Sequence, residues 1–322
     1  MRVLITGGAG FIGSNLADRL MADGLHVTVI DDLSVGTIDN IDHLLPSDRF
    51  SFIHDSILNR DALERLIRRA DAVYHLAAVV GVPYVLDDPI GGITINVRGT
   101  ENVLALAAQY DVRTVIASSS EVYGKSTAMP LQEDADRLLG PTSVDRWSYA
   151  DSKAIDEYMA FGYARQGLAV SAVRYFNVYG PRLDPRGYGS VIAKFISQAR
   201  CGEPLTVYGD GVQTRSFTYV DDVVEGTIRA ATVEAAAGLA FNIGSNCETS
   251  INRLAQLILE AVGAEGQIHH VPYDEAYGAR FEDTPRRVPD VSRARDVLGF
   301  EARTSLREGL ARTVSWFERH VP

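Results

Sequence analysis

Cysteine is scarce in this chain, which carries only Cys201 and Cys247 among its 322 residues. Two cysteines are too few for a disulfide framework, and their spacing is not that of a metal site. Apolar runs are short as well, and none approaches the roughly 20 residues that a membrane-spanning helix requires. The first residues lack the charged segment followed by an apolar one that a secretory signal would show. These absences predict a protein of the reducing cytoplasm.

Positive charge is also in short supply. Lysine and arginine together number 31 against 42 aspartates and glutamates, which gives a formal net charge of −11. A nucleic-acid-binding protein usually presents a basic surface, so this balance argues against a nucleic-acid partner. It does not exclude an anionic small molecule, which would need arginines or lysines gathered at one place.

Short apolar runs alternate with helical patterns in the first half, which is typical of a parallel sheet covered on both faces. The strand patterns cover Arg2–Thr6, Val27–Ile30, Ser51–His54, Ala72–Leu76, Thr114–Ala117 and Ala169–Tyr175. The helical patterns cover Phe11–Asp23, Asp61–Arg69, Thr94–Tyr110 and Tyr149–Gln166. The predicted fold class is α/β, a Rossmann-type doubly wound parallel sheet with a smaller mixed α/β C-terminal substrate domain. We expect residues 1–174 with about 217–243 to form the dinucleotide domain, and about 175–216 with 244–322 to form the substrate domain.

A glycine turn between the first strand and the first helix predicts a dinucleotide site. Gly7, Gly10 and Gly13 let the backbone turn tightly and approach a pyrophosphate at the helix N-terminus, which Phe11 and Ile12 open. Asp31 follows the second strand, 18 residues after Gly13, and is placed to accept hydrogen bonds from an adenosine ribose. A carboxylate there repels a 2′-phosphate, which favours NAD over NADP. Asp32 joins it, Asp55 after the third strand is a candidate partner for the adenine, and a plain solvated turn is the alternative for Asp31-Asp32.

Three residues form a candidate catalytic group. Tyr149 and Lys153 are four residues apart and therefore share one face of a helix. The lysine charge favours the phenolate and should lower the pKa of Tyr149 toward neutrality, so that the tyrosine takes a proton from a substrate hydroxyl. Ser119, at the end of a strand, can bind the same hydroxyl. A Tyr-x-x-x-Lys spacing alone arises often by chance, and it gains meaning from the glycine turn, Asp31 and Ser119 in the same order along the chain.

Taken together, Thr6–Gly13, His75–Ala78, Asn96-x-x-Gly99-Thr100, Ser119 and Tyr149-x-x-x-Lys153 resemble the extended short-chain dehydrogenase/reductase family over essentially the whole chain. That family includes epimerases, dehydratases and decarboxylases of nucleotide-linked sugars, typically homodimers paired through the helices corresponding to Thr94–Tyr110 and Tyr149–Gln166. The resemblance implies further cofactor contacts at Ile57, Leu76, Ala77, Ala78 and Asn96. It implies substrate contacts at Asn177, Val191, Lys194, Tyr208 and Arg215.

The segment Ser119-Ser120-Glu121 narrows the branch of the family. Sugar 4,6-dehydratases have Thr-Asp-Glu here, and Ser120 cannot replace the aspartic acid that helps to expel water. UDP-glucuronate decarboxylases have Thr-Ser-Glu, from which this chain differs only by Ser119, which keeps the hydroxyl. Leu139-Gly140-Pro141 followed by Arg146–Tyr149 is similar to bacterial and plant members of that branch. The segment Tyr277–Asp290 resembles the decarboxylases' Arg-x-Pro loop, in which Arg287 would bind the sugar carboxylate.

The expected reaction is decarboxylation of UDP-glucuronate through a 4-keto intermediate to UDP-xylose, with release of the UDP-4-keto-pentose as a side outcome. Glu121 would position water or protonate C5, assisted by Ser120, and no metal is required. Arg280, Arg286 and Arg287 have the alternative of a solvated cationic loop, and Glu121 that of a hydrogen bond to its own turn. A UDP-sugar 4-epimerase, which needs the same Tyr149, Lys153 and Ser119, is the alternative enzyme. A non-catalytic NAD-binding regulatory protein is the alternative of another class.

Overall fold

Strands and helices alternate along most of the chain. A computed structural model describes residues 1–80, 88–186, 190–273, 275 and 284–321. The strands are β1 (Arg2–Thr6), β2 (His26–Asp31), β3 (Phe50–His54), β4 (Ala72–His75), β5 (Arg113–Ser119), β6 (Val170–Tyr175), β7 (Val178–Tyr179), β8 (Leu205–Tyr208), β9 (Thr214–Ser216), β10 (Thr218–Tyr219), β11 (Ala240–Ile243), β12 (Glu248–Ser250), β13 (Ile268–Val271) and β14 (Arg286–Arg287). The helices are α1 (Phe11–Ala22), α2 (Arg60–Ile67), α3 (Pro89–Ile93), α4 (Gly99–Tyr110), α5 (Arg146–Arg165), α6 (Val191–Arg200), α7 (Val220–Thr232), α8 (Ile251–Val262), α9 (Ser292–Leu298) and α10 (Leu306–His320).

A seven-stranded sheet forms the centre of the molecule, in the order β3-β2-β1-β4-β5-β6-β11. Every neighbouring pair in it is parallel. The strand order reverses between β1 and β4, and in such sheets ligands bind at the carboxyl ends of the strands beside this reversal. The predicted Rossmann-type doubly wound sheet is therefore confirmed.

The strand β1 illustrates why the sheet is covered on both faces. Its successive side chains point to opposite sides, so that Val3 and Ile5 join one buried apolar cluster and Leu4 joins another. Helices α1 and α7 cover the first cluster, whereas α2, α4 and α5 cover the second. Among the described residues, no helix combines the length and apolarity needed to cross a membrane.

The helix predicted from Thr94 begins earlier and is not uniform. Asp88 accepts a hydrogen bond from the Gly91 amide at 2.9 Å and starts α3, after which Thr94–Arg98 form a π-helical turn that leads into α4. The sequence pattern did not predict this start, because it contains Gly91 and Gly92 and glycine is a poor helix former. Helix α5 likewise begins three residues before Tyr149, at Arg146.

The segments that follow β6 build three small sheets. Strand β7 pairs with β10, β8 pairs with β13, and β9 lies between β12 and β14. In the last of these sheets Arg287 is the register partner of Arg215, and Arg286 is the partner of Thr214. Because side chains alternate along a strand, Arg286 and Arg287 must face opposite ways.

Candidate functional site

A cavity of ≈ 470 Å³ opens at the carboxyl edge of the large sheet, beside the reversal between β1 and β4. It brings together most of the side chains that the sequence singled out. These are Gly7, Gly10, Phe11, Ile12, Gly13, Asp31, Asp32, Asp55, Ile57, Leu76, Ala77, Ala78, Ser119, Ser120, Glu121, Tyr149, Lys153, Asn177, Val191 and Arg287. In the described part of the chain, no group of three or more His, Cys, Asp or Glu side chains is arranged to hold a metal ion.

The glycine turn has the shape that a dinucleotide pyrophosphate requires. Gly7 adopts a φ of +70°, and a Cβ there would lie 2.6 Å from the Ala77 amide nitrogen. A Cβ on Gly13 would lie 2.3 Å from the Gly7 carbonyl oxygen, so neither position accepts a side chain. Gly10 caps α1 without a side-chain hydrogen bond. The first amides of this helix therefore stay available to an anion.

Asp31 ends β2 and is held in one orientation. It is 9% exposed, and its carboxylate accepts hydrogen bonds from the amides of Ala9 and Leu33, each at 2.9 Å. Burial raises the pKa of Asp31 above its usual value, against the lowering effect of these two amides. The alternative of a solvated turn thus describes Asp32, which is exposed, but not Asp31. One fixed carboxylate beside the glycine turn fits the ribose of NAD.

Replacing Asp31 tests this placement. We expect Asp31→Asn to weaken NAD binding by roughly 10- to 100-fold, because a hydrogen bond to a charged group contributes about 1.5–3 kcal/mol. Titration calorimetry with NAD measures the change, and Asp39→Asn, an exposed aspartate in the same loop, is the matched control. An unchanged NAD affinity in Asp31→Asn would remove Asp31 from the cofactor site.

The candidate catalytic group lines the same cavity as the glycine turn. Ser119 is the last residue of β5, and its hydroxyl lies beside the Tyr149 phenol, whose pKa it lowers. Burial has the larger effect and raises the pKa of Tyr149 well above its usual value, and the charges of Glu121 and Asp156 raise it further. Here the structure differs from the expectation of a tyrosine pKa near neutrality. The Lys153 ammonium is bound to the Asp156 carboxylate at 3.1 Å, with both side chains buried.

Two residues beyond Ser119, a carboxylate of the same cavity lies between arginines. Arg287 Nη1 lies 2.5 Å from Glu121 Oε1, and Arg146 Nη2 lies 3.7 Å from Glu121 Oε2. Burial acts to raise the pKa of Glu121, but the charges of Arg287, Arg146 and Arg215 outweigh it and hold this pKa below its usual value. Glu121 therefore pairs with arginines, and the alternative in which its carboxylate binds its own turn is wrong.

Arg287 is a buried residue of β14 and not part of a solvated loop. It is 5% exposed, and its Nη2 is buried without a hydrogen-bond partner among the described residues. Arg286 points outward and forms a salt bridge with Glu248 at 2.7 Å. Arg280, the third arginine of this segment, lies outside the described residues.

Sequence reasoning assigned no role to one arginine of the cavity, and four of the predicted site residues lie outside the cavity lining, where their contacts with a ligand stay predictions. Arg146 carried part of the family resemblance but received no role, although it stands three residues before Tyr149 and so shares its helix face. The four predicted site residues outside the cavity lining are Asn96, Lys194, Tyr208 and Arg215. Lys194 Nζ donates to the Tyr208 hydroxyl at 2.6 Å.

Asn96 lies outside the cavity lining but forms hydrogen bonds with two residues next to the site. Its side-chain oxygen accepts a hydrogen bond from the Val79 amide at 2.8 Å, and its nitrogen donates to the Ser152 hydroxyl at 3.2 Å. Because Val79 lines the cavity and Ser152 precedes Lys153, Asn96 ties one cavity wall to the catalytic helix. It is buried on the π-helical turn, a local geometry that often occurs at functional sites.

These features define the class of protein: an NAD-dependent enzyme with the Rossmann fold and the Ser-Tyr-Lys group of the extended short-chain dehydrogenases/reductases. The family model described as GDP-mannose 4,6 dehydratase matches residues 4–313. The chain belongs to this family, and its cofactor is NAD.

Three comparisons are the most informative. The chain is 45% identical to the UDP-N-acetyl-alpha-D-glucosaminuronate decarboxylase of Bacillus cytotoxicus over 98% of this chain and 97% of that protein. It is 39% identical to UDP-glucuronic acid decarboxylase 1 of Xenopus tropicalis over 99% of this chain and 73% of that protein. The solved structure of the UDP-glucuronic acid 4-epimerase from Bacillus cereus, in complex with UDP-glucuronic acid and NAD, superimposes with a TM-score of 0.89 at 30% identity, covering 99% of both chains.

Proposed function

We propose that this enzyme decarboxylates a UDP-linked uronic acid, with UDP-glucuronate as substrate and UDP-xylose as product. The observation that carries the proposal is Glu121 held by Arg287 and Arg146 in the same cavity as Ser119 and Tyr149. Arginine is the side chain best suited to bind a carboxylate in two-point fashion. Both decarboxylase relatives act, by their names, on a UDP-linked uronic acid.

Bound NAD would supply hydride transfer from C4 of the sugar and back to it. The glycine turn and Asp31 would hold its pyrophosphate and adenosine ribose. Tyr149 is the base that takes the proton of the C4 hydroxyl, and Ser119 donates a hydrogen bond to the same oxygen. Lys153 supplies positive charge beside this oxygen, which favours the phenolate. The product of this step is a C4 ketone.

A ketone at C4 makes the sugar acid a β-keto acid. The bond between C5 and C6 then breaks, carbon dioxide leaves, and the electron pair forms an enolate whose oxygen faces Ser119 and Tyr149. Arg287 orients the carboxylate before it leaves. Because the neighbouring arginines keep Glu121 ionised, we assign to it the orientation of the water that protonates C5, and not the donation of its own proton. The buried hydroxyl of Ser120 assists this water.

Product analysis tests the reaction. The purified enzyme with NAD and UDP-glucuronate should release carbon dioxide and give a sugar nucleotide lighter by that mass, whereas UDP-4-keto-pentose would appear as a smaller product. UDP-N-acetylglucosaminuronate should be assayed in parallel. Conversion to UDP-galacturonate at unchanged mass would contradict decarboxylation and establish a 4-epimerase, the second candidate that the Bacillus cereus structure favours. Tight NAD binding without turnover of any UDP-sugar would favour a regulatory protein.

We further propose that one part of the chain binds NAD and another binds the UDP-sugar. Residues 1–174 with about 217–243 would hold NAD, because they supply the large sheet and the glycine turn. Residues 175–216 with 244–322 would hold the UDP-sugar, because they supply Asn177, Val191 and Arg287.

We also propose a homodimer through α5 and the helices that precede it. Tyr158 is 68% exposed and Ile155 is 42% exposed on α5, while Ile90 on α3 is 77% exposed. Light scattering should give twice the mass of the chain, and a Tyr158→Asp, Ile155→Asp double variant should give the single mass with NAD still bound. A monomeric parent protein would contradict the proposal.

A further inference from the structure

We propose that Asp156 is a positioning residue of the reaction: it fixes the ammonium of Lys153 and, by offsetting its charge, sets the pH range in which Tyr149 works. The inference rests on the proposed use of Tyr149 as the base, but it does not depend on which product is formed. Its outcome is therefore distinguishable from failure of the decarboxylase proposal.

The contact that supports this role is short and buried. Lys153 Nζ donates to Asp156 Oδ2 at 3.1 Å, and the two side chains are 3% and 0% exposed. Tyr149, Lys153 and Asp156 follow one another at spacings of four and three residues, so they lie along one stripe of α5. Asp156 Oδ1 has no hydrogen-bond partner in the described part of the chain. The ammonium is therefore the main geometric partner of this carboxylate.

The polar and titratable groups around the pair come from four elements. On α5 itself, Glu157 adds a second negative charge, but its carboxylate is bound by the Arg174 guanidinium of β6 at 2.6 and 2.8 Å. On α4, the Thr100 hydroxyl faces Asp156 and lowers the pKa that burial raises. On β4, His75 is buried, and burial together with the charge of Lys153 lowers its pKa to about 3, so that it stays neutral.

The charge of Asp156 consequently disfavours the Tyr149 phenolate, whereas the role proposed for Lys153 is to favour it. A positive charge near Tyr149 favours the phenolate, and a negative charge disfavours it. Both Asp156 and Glu121 raise the pKa of Tyr149. Without the charge of Asp156, a larger fraction of Tyr149 would be phenolate at low pH. The ion pair therefore confines the active phenolate to higher pH. It also holds the Lys153 ammonium in one rotamer.

The test compares pH profiles of the NAD-bound enzyme. In the parent protein kcat should fall toward low pH as Tyr149 becomes protonated. Asp156→Asn keeps the shape of the side chain but removes its charge, so the pKa of Tyr149 should fall. The acidic limb of the profile, where kcat falls toward low pH, should then move to lower pH by about one unit, the size expected for a nearby charge. Asp151→Asn, a half-exposed aspartate five residues earlier on the same helix, should leave the profile unchanged.

Asp156→Glu should restore the parent profile, which a purely structural role would not predict. Asp156→Ser is the second charge-removing variant and should shift the limb in the same direction as Asp156→Asn. An unshifted limb in a folded, NAD-bound Asp156→Asn or Asp156→Ser enzyme would overturn the proposal. Loss of folding in both would also overturn it, because Asp156 would then be a residue of stability alone.

Discussion

Tyr149→Phe is expected to lower kcat by ~10²- to 10⁴-fold, which is the usual contribution of a general base. The substitution removes one oxygen atom and leaves the ring in place on α5. Glu121, two residues from Ser119, is bound by Arg287 and is therefore a poor substitute for the missing base. Steady-state turnover of UDP-glucuronate with saturating NAD measures the loss, and titration calorimetry verifies that NAD still binds.

Tyr158→Phe is the matched control for this variant. Tyr158 lies on the same helix but outside the cavity lining. Loss of its hydroxyl keeps the aromatic ring at the proposed dimer surface, so this variant should retain the parent kcat. A Tyr149→Phe enzyme with parent turnover would show that Tyr149 is not the base. This result would also favour the alternative of a non-catalytic regulatory protein, in which the tyrosine has no chemical role.

The second large effect is expected for Arg287→Met. Truncating one partner of a buried, hydrogen-bonded charge pair costs about 2–5 kcal/mol of binding free energy, which corresponds to a roughly 30- to 5,000-fold loss in kcat/KM at about 1.36 kcal/mol per tenfold. Two effects combine here, because the substrate carboxylate loses its ligand and Glu121 loses its closest counter-charge. The pKa of Glu121 should rise in this variant, since Arg287 is the main cause that lowers it.

Arg286→Met provides the control, because Arg286 is the neighbouring arginine on the same strand but faces solvent and Glu248. Exposed ion pairs contribute about 0–1 kcal/mol, so its kcat/KM should change little. Binding of UDP alone, which has no carboxylate, should be retained in both variants. Equal losses in both variants would show that the strand β14 matters only for stability.

The sequence predicted the parts of the fold that depend on local pattern. Strand β1 has the predicted limits Arg2–Thr6 and the six predicted strands of the large sheet are present, because each is a short apolar run between helices. The π-helical turn at Thr94–Arg98 was not predicted. It contains Asn96, which forms tertiary hydrogen bonds with Val79 and Ser152, and a pattern of apolar residues does not encode such bonds.

The candidate site shows the same division. The residues within the cavity are largely those that stand close together in sequence, such as Gly7–Gly13 and Ser119–Glu121. The partners of Lys153 and Lys194 could not be predicted in this way, because tertiary packing determines each of them. Lys194 turns to Tyr208 on β8, and Lys153 turns to an aspartate whose position on the helix is ordinary by pattern.

The charges around Glu121 should make the site bind the acidic substrate more tightly than the product. Glu121, Arg287 and Arg146 together carry one net positive charge. A uronic acid neutralises that charge on arrival, and the departure of carbon dioxide restores it, so that the site complements the acid and not the uncharged pentose that remains. Product release would then be driven by the loss of an electrostatic partner, and added pentose nucleotide should inhibit the enzyme only weakly.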